Sequence, residues 1–288
     1  MTALSLDAPA KLNLSLRVVG ERSDGYHLLN TEMVLLELAD RLLLLPGATG
    51  LRVEAPRDDR IPLDRTNLAW RGLLAGVGAE PELVCLALEK RIPAGSGLGG
   101  GSSDAAAAWR LGRHAVGAAS IPGIDELAAL SRLGADVPFF AAATAAARVG
   151  GIGEQILPIP VPAERIIVLA HPAFRLSTAA VFAELRPGDL APDRPGANDL
   201  LAPALRLRPG LGDLLREVAE AGGEPRLTGS GSTVFTQTDD QERSAAVAAS
   251  LRLAGVQVTE TRLRSQAAQI AMLDDAPNDA GAPSPSMG

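Results

Sequence analysis

Cysteine, lysine and the aromatic residues are nearly missing from this chain. Cys85 is the only cysteine, which excludes an internal disulfide framework and a cysteine-based metal site and fits a reducing compartment. Aromatic residues make up 3% of the sequence, so alanine and leucine must fill most of the core. No apolar run reaches the roughly 18 residues of a membrane span. The N-terminus lacks the charged-then-apolar pattern of a signal peptide, so a cytoplasmic protein without membrane attachment is expected. Basic charge is short as well: 27 Lys and Arg face 34 Asp and Glu, a formal net charge of −7. A general nucleic-acid binder needs a basic footprint, and that class is excluded; a local basic pocket is not. Of the 27 basic residues only Lys11 and Lys90 are lysines, which raises the question of what those two do.

What is present suits one large domain or two of ordinary size: 288 residues, 47% hydrophobic and 21% charged. Leu12, Leu14, Leu16 and Val18 alternate along one face of a strand within Leu4–Gly20. An Asp24-Gly25 turn follows, then a leucine-rich stretch of one or two strands. Short strands are expected at Leu51–Glu54 and around Val84–Leu88, with a helix between them that Thr66 caps. A helix from about Ser102 to His114 precedes a helix, a Gly-Ala break and a short helix starting near Asp136. Glycines at 150, 151 and 153 and a run of prolines mark a boundary around residues 150–165. Beyond it come a strand at Ile166–Ala170, helices near Ser177–Glu184 and Leu211–Ala221, a strand at "STVFTQT", a helix at Gln241–Ala254 and a closing strand at Val256–Arg264. The spacing lacks the regular alternation of a doubly wound sheet, so the expected class is α+β. The expected division is residues 1–152, residues 153–273 and a disordered tail at 274–288.

The stretch "PAGSGLGGGSSDAAAAW" places five glycines directly before a helix. Backbone N–H groups at a helix start lack internal partners and carry partial positive charge, and glycines let a polyphosphate approach them. It is not a P-loop, because no Gly-Lys-Ser/Thr sits at the required spacing. Gly95, Gly97 and Gly100 do satisfy the dinucleotide fingerprint, but Glu89–Pro93 separates them from the strand, and several strands come earlier in the chain.

The same stretch resembles the phosphate motif of the GHMP kinases, a family named for galactose, homoserine, mevalonate and phosphomevalonate. Three further segments are similar to that family's motifs and occur in its order: "PAKLNLSLRVVGERSDGYHLL", "GADVPFF" and "LTGSGSTVF". The first resembles one branch of the family, which phosphorylates a cytidine diphosphate-linked methylerythritol. The resemblance implies a two-domain α+β fold with the site between the halves, ATP as co-substrate with Mg²⁺, and a small-molecule acceptor. Asp136 matches the family's general base, and Lys11 matches a lysine that stabilises charge on the acceptor oxygen. Asp136 has a second reading as a cap for the helix begun by Val137-Pro138. Asn13, Tyr26, His27 and Phe182 match substrate positions, with Tyr26 and Phe182 stacking on the cytosine ring; Phe182 also reads as plain core. For ATP, the loop Pro93, Ala94, Gly95, Ser96, Gly97, Leu98, Gly99, Gly100, Gly101, Ser102 and Ser103 would wrap the phosphates, and Asn67 would meet adenine or cap a helix. Ser102 or Ser103 would touch phosphate or Mg²⁺, or cap the helix that follows. Asp104 suits a helix dipole yet would repel phosphate, and its arrangement stays open. No cluster has the spacing of a dedicated metal cage. Other readings are a kinase of the same fold acting on homoserine or mevalonate, a dinucleotide-dependent oxidoreductase, and a non-catalytic metabolite sensor.

Overall fold

The computed structural model describes residues 2–47, 49–54, 61–79, 84–190 and 196–273; the tail expected at 274–288 lies outside them. The first half is built on two long antiparallel strands, β1 (Ala3–Glu21) and β2 (His27–Pro46), joined by the Asp24-Gly25 turn. The leucine-rich stretch is therefore a single 20-residue strand. β3 (Gly50–Glu54), α1 (Leu68–Val77) and β4 (Val84–Glu89) follow, with β3 parallel to β4 and β4 antiparallel to β2. α2 (Gly100–Ala115), α3 (Ile124–Leu130) and α4 (Val137–Ala141) lead to a hairpin, β5 (Ala146–Gly151) and β6 (Gln155–Pro158).

That hairpin holds the glycines at which the expected boundary of residues 150–165 begins. β5 pairs along β2 and completes the first sheet, and Gly153 makes its turn at φ +116°. A Cβ at Gly153 would stand 2.0 Å from the Ala135 carbonyl oxygen, so this turn presses on the residue before Asp136. The division expected at residue 152 falls inside the hairpin, and the second sheet begins with β7 (Ile166–His171).

The second half continues with α5 (Thr178–Ala183), α6 (Leu201–Leu207), α7 (Gly210–Glu220), β8 (Arg226–Leu227), β9 (Val234–Thr238), α8 (Gln241–Leu253) and β10 (Gln257–Arg262). Its sheet has the order β10-β7-β9-β8. β11 (Ala271–Leu273) then returns to pair with β1, so this strand stitches the second half back to the first. The α6 helix and the short strands β8 and β11 carry no clear periodic signal.

Leu6, Leu42, Leu86 and Leu88 pack beneath α1 and α2. Gly72 and Gly76 of α1 meet the Ala105 and Trp109 carbonyls of α2, where Cβ atoms would fall at 2.1 and 2.4 Å. This close approach explains the alanine run of α2 and fixes where its N-terminus points. A separate cluster joins the halves: Ala10, Leu12, Val34, Leu36 and Leu98 pack against Ile167, Leu169 and Phe235. Both faces of β1 are therefore covered. Leu12 and Leu14 face this core, while beyond the register shift after Asn13 the alternation changes sides and Leu16 and Val18 pack in the core of the second half; the opposite face at Lys11 and Asn13 is buried by the glycine loops.

Candidate active site

Lys11 and Asn13 lie on the same face of β1, each 3% exposed. Lys11 Nζ donates to Asn13 Oδ1 at 2.5 Å and stands 3.4 Å from Asp136 Oδ2. The Asn13 amide is oriented from behind: its Nδ2 donates to Thr31 Oγ1 at 2.8 Å, and Thr31 Oγ1 donates to the Ser15 carbonyl at 2.5 Å. Asp136 occupies the position before α4, yet its side chain makes no capping hydrogen bond. Pro138 in the first turn starts that helix, and the carboxylate is turned to Lys11.

Two glycine segments close around this pair. The Lys11 N–H donates to the Leu98 carbonyl at 3.0 Å, and the Asn13 N–H donates to Thr228 Oγ1 at 3.1 Å. Irregular register on either side of Lys11 and Asn13 accompanies these bonds. Gly97, at φ +82°, packs against the second segment, and Thr233 N–H donates to the Ser96 carbonyl at 3.1 Å. A Cβ at Gly229 would stand 3.2 Å from Lys11 Nζ. From the second half, Arg175 lays its side chain across Gly95, 3.0 Å from a Cβ placed there.

A cavity of about 640 Å³ opens between these elements. Lys11, Asn13 and Asp136 line it together with Pro93–Gly97 and Gly99–Ser102 of the loop, Asn67 and Phe182. Two loop residues expected at the nucleotide turn away. The Leu98 side chain is fully buried in the core that joins the halves, leaving its backbone for the site. Ser103 is 1% exposed and faces a small void on the other side of α2. Neither serine caps α2, whose preceding residue is Gly99 in a left-handed conformation. Asn67, not Thr66, caps α1: its Oδ1 accepts from Ala69 N–H at 2.9 Å and its Nδ2 donates to the Pro62 carbonyl.

Near Asn67 the structure resolves the position of Asp104. Its carboxylate accepts from Lys90 Nζ, which also donates to Asp40, and all three side chains are buried. Burial raises the Asp104 carboxyl to about 7, although the Lys90 ammonium opposes the shift. Burial alone would lower the Lys90 ammonium, but the two carboxylates raise it above the ordinary lysine value. A carboxyl raised in the folded state from 3.8 contributes stability that is complete below pH 3.8 and lost as pH rises through about 7. Asp104→Asn removes this proton linkage. Its thermal midpoint should climb relative to the parent chain between pH 4 and pH 7.5, by about 2–4 °C per kcal/mol. Paired melting curves at several pH values would check this, and a constant difference would refute it.

Phe182 lines the cavity, and His27, which does not, places its ring 5.1 Å from that of Phe182 at 30°. Tyr26 sits in the Asp24-Gly25 turn, closed by Arg22 N–H donating to the Tyr26 carbonyl, and is 60% exposed. The ring against Phe182 is His27, and Tyr26 stands in the adjoining turn. Thr178 and Ser230 also line the cavity and exchange a hydrogen bond at 2.9 Å.

The strand before the glycine loop sits in a sheet whose long central strands are antiparallel. That arrangement removes the dinucleotide reading, which needs a parallel doubly wound sheet. Residues 67–151 match the GHMP kinases N terminal domain. A 4-diphosphocytidyl-2-C-methyl-D-erythritol kinase of Dinoroseobacter shibae is 40% identical over 286 residues, covering 89% of this chain and 94% of that protein. The crystal structure of a 4-(cytidine 5'-diphospho)-2C-methyl-D-erythritol kinase matches with a TM-score of 0.73 at 35% identity, covering 90% of this chain and 98% of that one. A homoserine kinase from Cytophaga hutchinsonii shares the fold at a TM-score of 0.66 and 17% identity, over 94% and 98% of the two chains. With its glycine loop, its Lys11–Asp136 pair and relatives of this closeness, the chain belongs to the GHMP kinase family, in the branch of the 4-diphosphocytidyl-2-C-methyl-D-erythritol kinases.

Proposed function

We propose that the chain transfers the γ-phosphoryl group of ATP to the 2-hydroxyl of 4-diphosphocytidyl-2-C-methyl-D-erythritol, a step of non-mevalonate isoprenoid precursor synthesis. One observation carries the reading: an ammonium and a carboxylate 3.4 Å apart, brought together from positions 11 and 136 beside a glycine loop that opens a helix. Asp136 takes the hydroxyl proton as the acceptor oxygen bonds to phosphorus, and the bond to the β-phosphate oxygen breaks to release ADP. Lys11 holds the developing alkoxide, and Asn13 holds Lys11. The main-chain N–H groups at the start of α2 receive the phosphates.

Mg²⁺ belongs to this reading as an ion carried by ATP. The Asp136 carboxylate and Ser102 hydroxyl on the cavity wall are hard oxygen donors. They suit an ion that keeps its phosphate and water ligands. Bound there, it would spread the charge of the transferring phosphoryl group.

In this reading the cytosine ring lies by Phe182 on the cavity wall, with His27 packed on Phe182 and Tyr26 in the adjacent turn. Stacking a base on an aromatic side chain contributes about 1–3 kcal/mol. Phe182→Ala should therefore raise KM for the cytidyl substrate about tenfold or more and leave KM for ATP near its original value. Steady-state kinetics with each substrate varied would show it, and equal shifts in both would remove Phe182 from the cytosine site. The direct test of the function is a coupled ADP-release assay with ATP, Mg²⁺ and 4-diphosphocytidyl-2-C-methyl-D-erythritol. Turnover is expected with that acceptor and not with homoserine or mevalonate. No ADP release from folded protein would overturn the reading.

A further inference from the structure

Beneath the glycine loop, Asp40, Lys90 and Asp104 come from three different elements. Asp40 lies in β2, Lys90 just follows β4, and Asp104 is in the first turns of α2. Their residue exposures are 0%, 8% and 4%, so this is a group of charges inside the protein. Lys90 Nζ donates to both carboxylates. The second oxygen of Asp40, Oδ1, accepts from Arg91 N–H at 2.5 Å and Ile92 N–H at 2.8 Å. The second oxygen of Asp104 is buried with no hydrogen-bond partner.

These bonds have one topological consequence. Residues 90–92 are the last residues before the glycine loop, and Asp104 is the first residue after it. Asp40 grips the backbone on the entering side, Asp104 belongs to the leaving side, and Lys90 joins the two. The segment between them, Pro93–Ser103, contains the five glycines, and Leu98 is its one side chain in the core that joins the halves. A Cβ at Gly100 would stand 3.6 Å from Asp40 Oδ2 and 3.1 Å from Ile92 Cγ2, so the clip also lies directly under the residue that opens α2.

We propose that Asp40, Lys90 and Asp104 act as a buried clip that holds both ends of the glycine loop and sets its affinity for the nucleotide phosphates. This rests on the reading of the loop as the ATP site and adds three positioning residues to it. The clip explains why a chain that otherwise uses arginine keeps a lysine at position 90: a single compact ammonium must donate to two carboxylates in a small space. It also explains an acid at the foot of a phosphate loop. Lys90 and Asp104 both border the cavity, and with Lys90 between two carboxylates the charge of Asp104 is set against a cation.

Lys90→Met leaves Asp40 and Asp104 facing each other without a cation, which strongly disfavours a buried pair. Binding is measured by calorimetry with ADP and, separately, CDP as probes on the full chain. In Lys90→Met the ADP dissociation constant should rise about tenfold or more, while that for CDP stays within about twofold. Asp40→Asn gives the second arm, and it covers the case in which Lys90→Met does not fold. Asp40 does not line the cavity, so any loss of ADP affinity it causes travels through the clip rather than through a lost contact with nucleotide. A selective ADP loss in Asp40→Asn supports the proposal. Unchanged ADP affinity in a folded variant overturns it, as does a parallel loss of ADP and CDP affinity, which marks general loosening of the fold. If the unaltered chain itself binds CDP but not ADP, the ATP-site reading fails, and the clip's role fails with it.

Discussion

Asp136→Asn lowers the phosphoryl-transfer rate by about 10²–10⁴-fold, the usual contribution of a positioned general base, and leaves the affinity for ADP near its parental value. The amide keeps the shape of the carboxylate but cannot take the hydroxyl proton. Its side chain is not needed to start α4, since Asp136 makes no capping bond there and Pro138 is in the first turn; the variant should therefore melt close to the parent. The same change deletes the ion pair to Lys11 Nζ, which keeps its hydrogen bond to Asn13 Oδ1 at 2.5 Å. Lys11→Met attacks the other member and should also slow the reaction strongly. Because the two groups act on one oxygen, the double variant should be scarcely slower than the worse single variant. Single-turnover rates for the three variants, with ADP titrations alongside, would decide the matter. A fully additive loss would mean that Lys11 and Asp136 serve separate steps. A rate within about tenfold of the parent for Asp136→Asn would remove the base from the mechanism.

Much of this arrangement could be read from residue order, and the parts that could not have physical reasons. The alternation of Leu12 and Leu14 announces a strand with Lys11 and Asn13 on its other face, but not the register shift after Asn13 that brings Leu16 to the cavity side. Ordinarily that face is wet; only the fold shows that two glycine segments cover it. The hairpin of β5 and β6 was hidden because Gly150, Gly151 and Gly153, followed by prolines, read as a domain boundary. Pairing on both sides, with β2 and with β6, holds Gly150 and Gly151 in β5, and that pairing is not visible in the local sequence. Thr66 and Asn67 are both good caps, and the choice between them depends on which oxygen reaches Ala69 N–H, a matter of backbone angles. A phosphate-loop pattern names a run of residues, but side chains such as Leu98 and Ser103 leave the site according to which way the turn faces. The scarcity of lysine did point at position 90. Its two acidic partners were invisible, because Asp40 lies 50 positions earlier in the chain. The tail at 274–288 lies outside the described residues.

Gly97→Val should be the most damaging single change in the glycine loop, for reasons that have little to do with phosphate contact. Gly97 has φ +82°, a conformation that costs a residue with a Cβ about 1–2 kcal/mol. A Cβ there would also lie 2.6 Å from the Gly231 carbonyl oxygen and 2.8 Å from the Thr228 carbonyl oxygen. Those atoms are backbone, so they cannot rotate aside as a side chain would. Overpacking of this kind adds about 1–3 kcal/mol. Relief comes only if the second glycine segment moves away from the first, which strains the bonds from Thr233 N–H to the Ser96 carbonyl and from Asn13 N–H to Thr228 Oγ1. The second of these bonds leads directly to the residue that holds Lys11. The variant should therefore lose ADP affinity and turnover together, by about 100-fold or more in turnover number, because a displacement near 1 Å already costs that much. Its thermal midpoint should fall as well, by about 2–4 °C per kcal/mol. Gly101 provides the control, since a Cβ there meets only Leu68 Cδ1 at 3.5 Å. Gly101→Ala should keep its melting temperature and ADP affinity near those of the parent. If both variants lose affinity equally while melting like the parent, then freedom from side chains matters along the loop for phosphate access alone. In that case the contact between the two glycine segments does not set the geometry of the site.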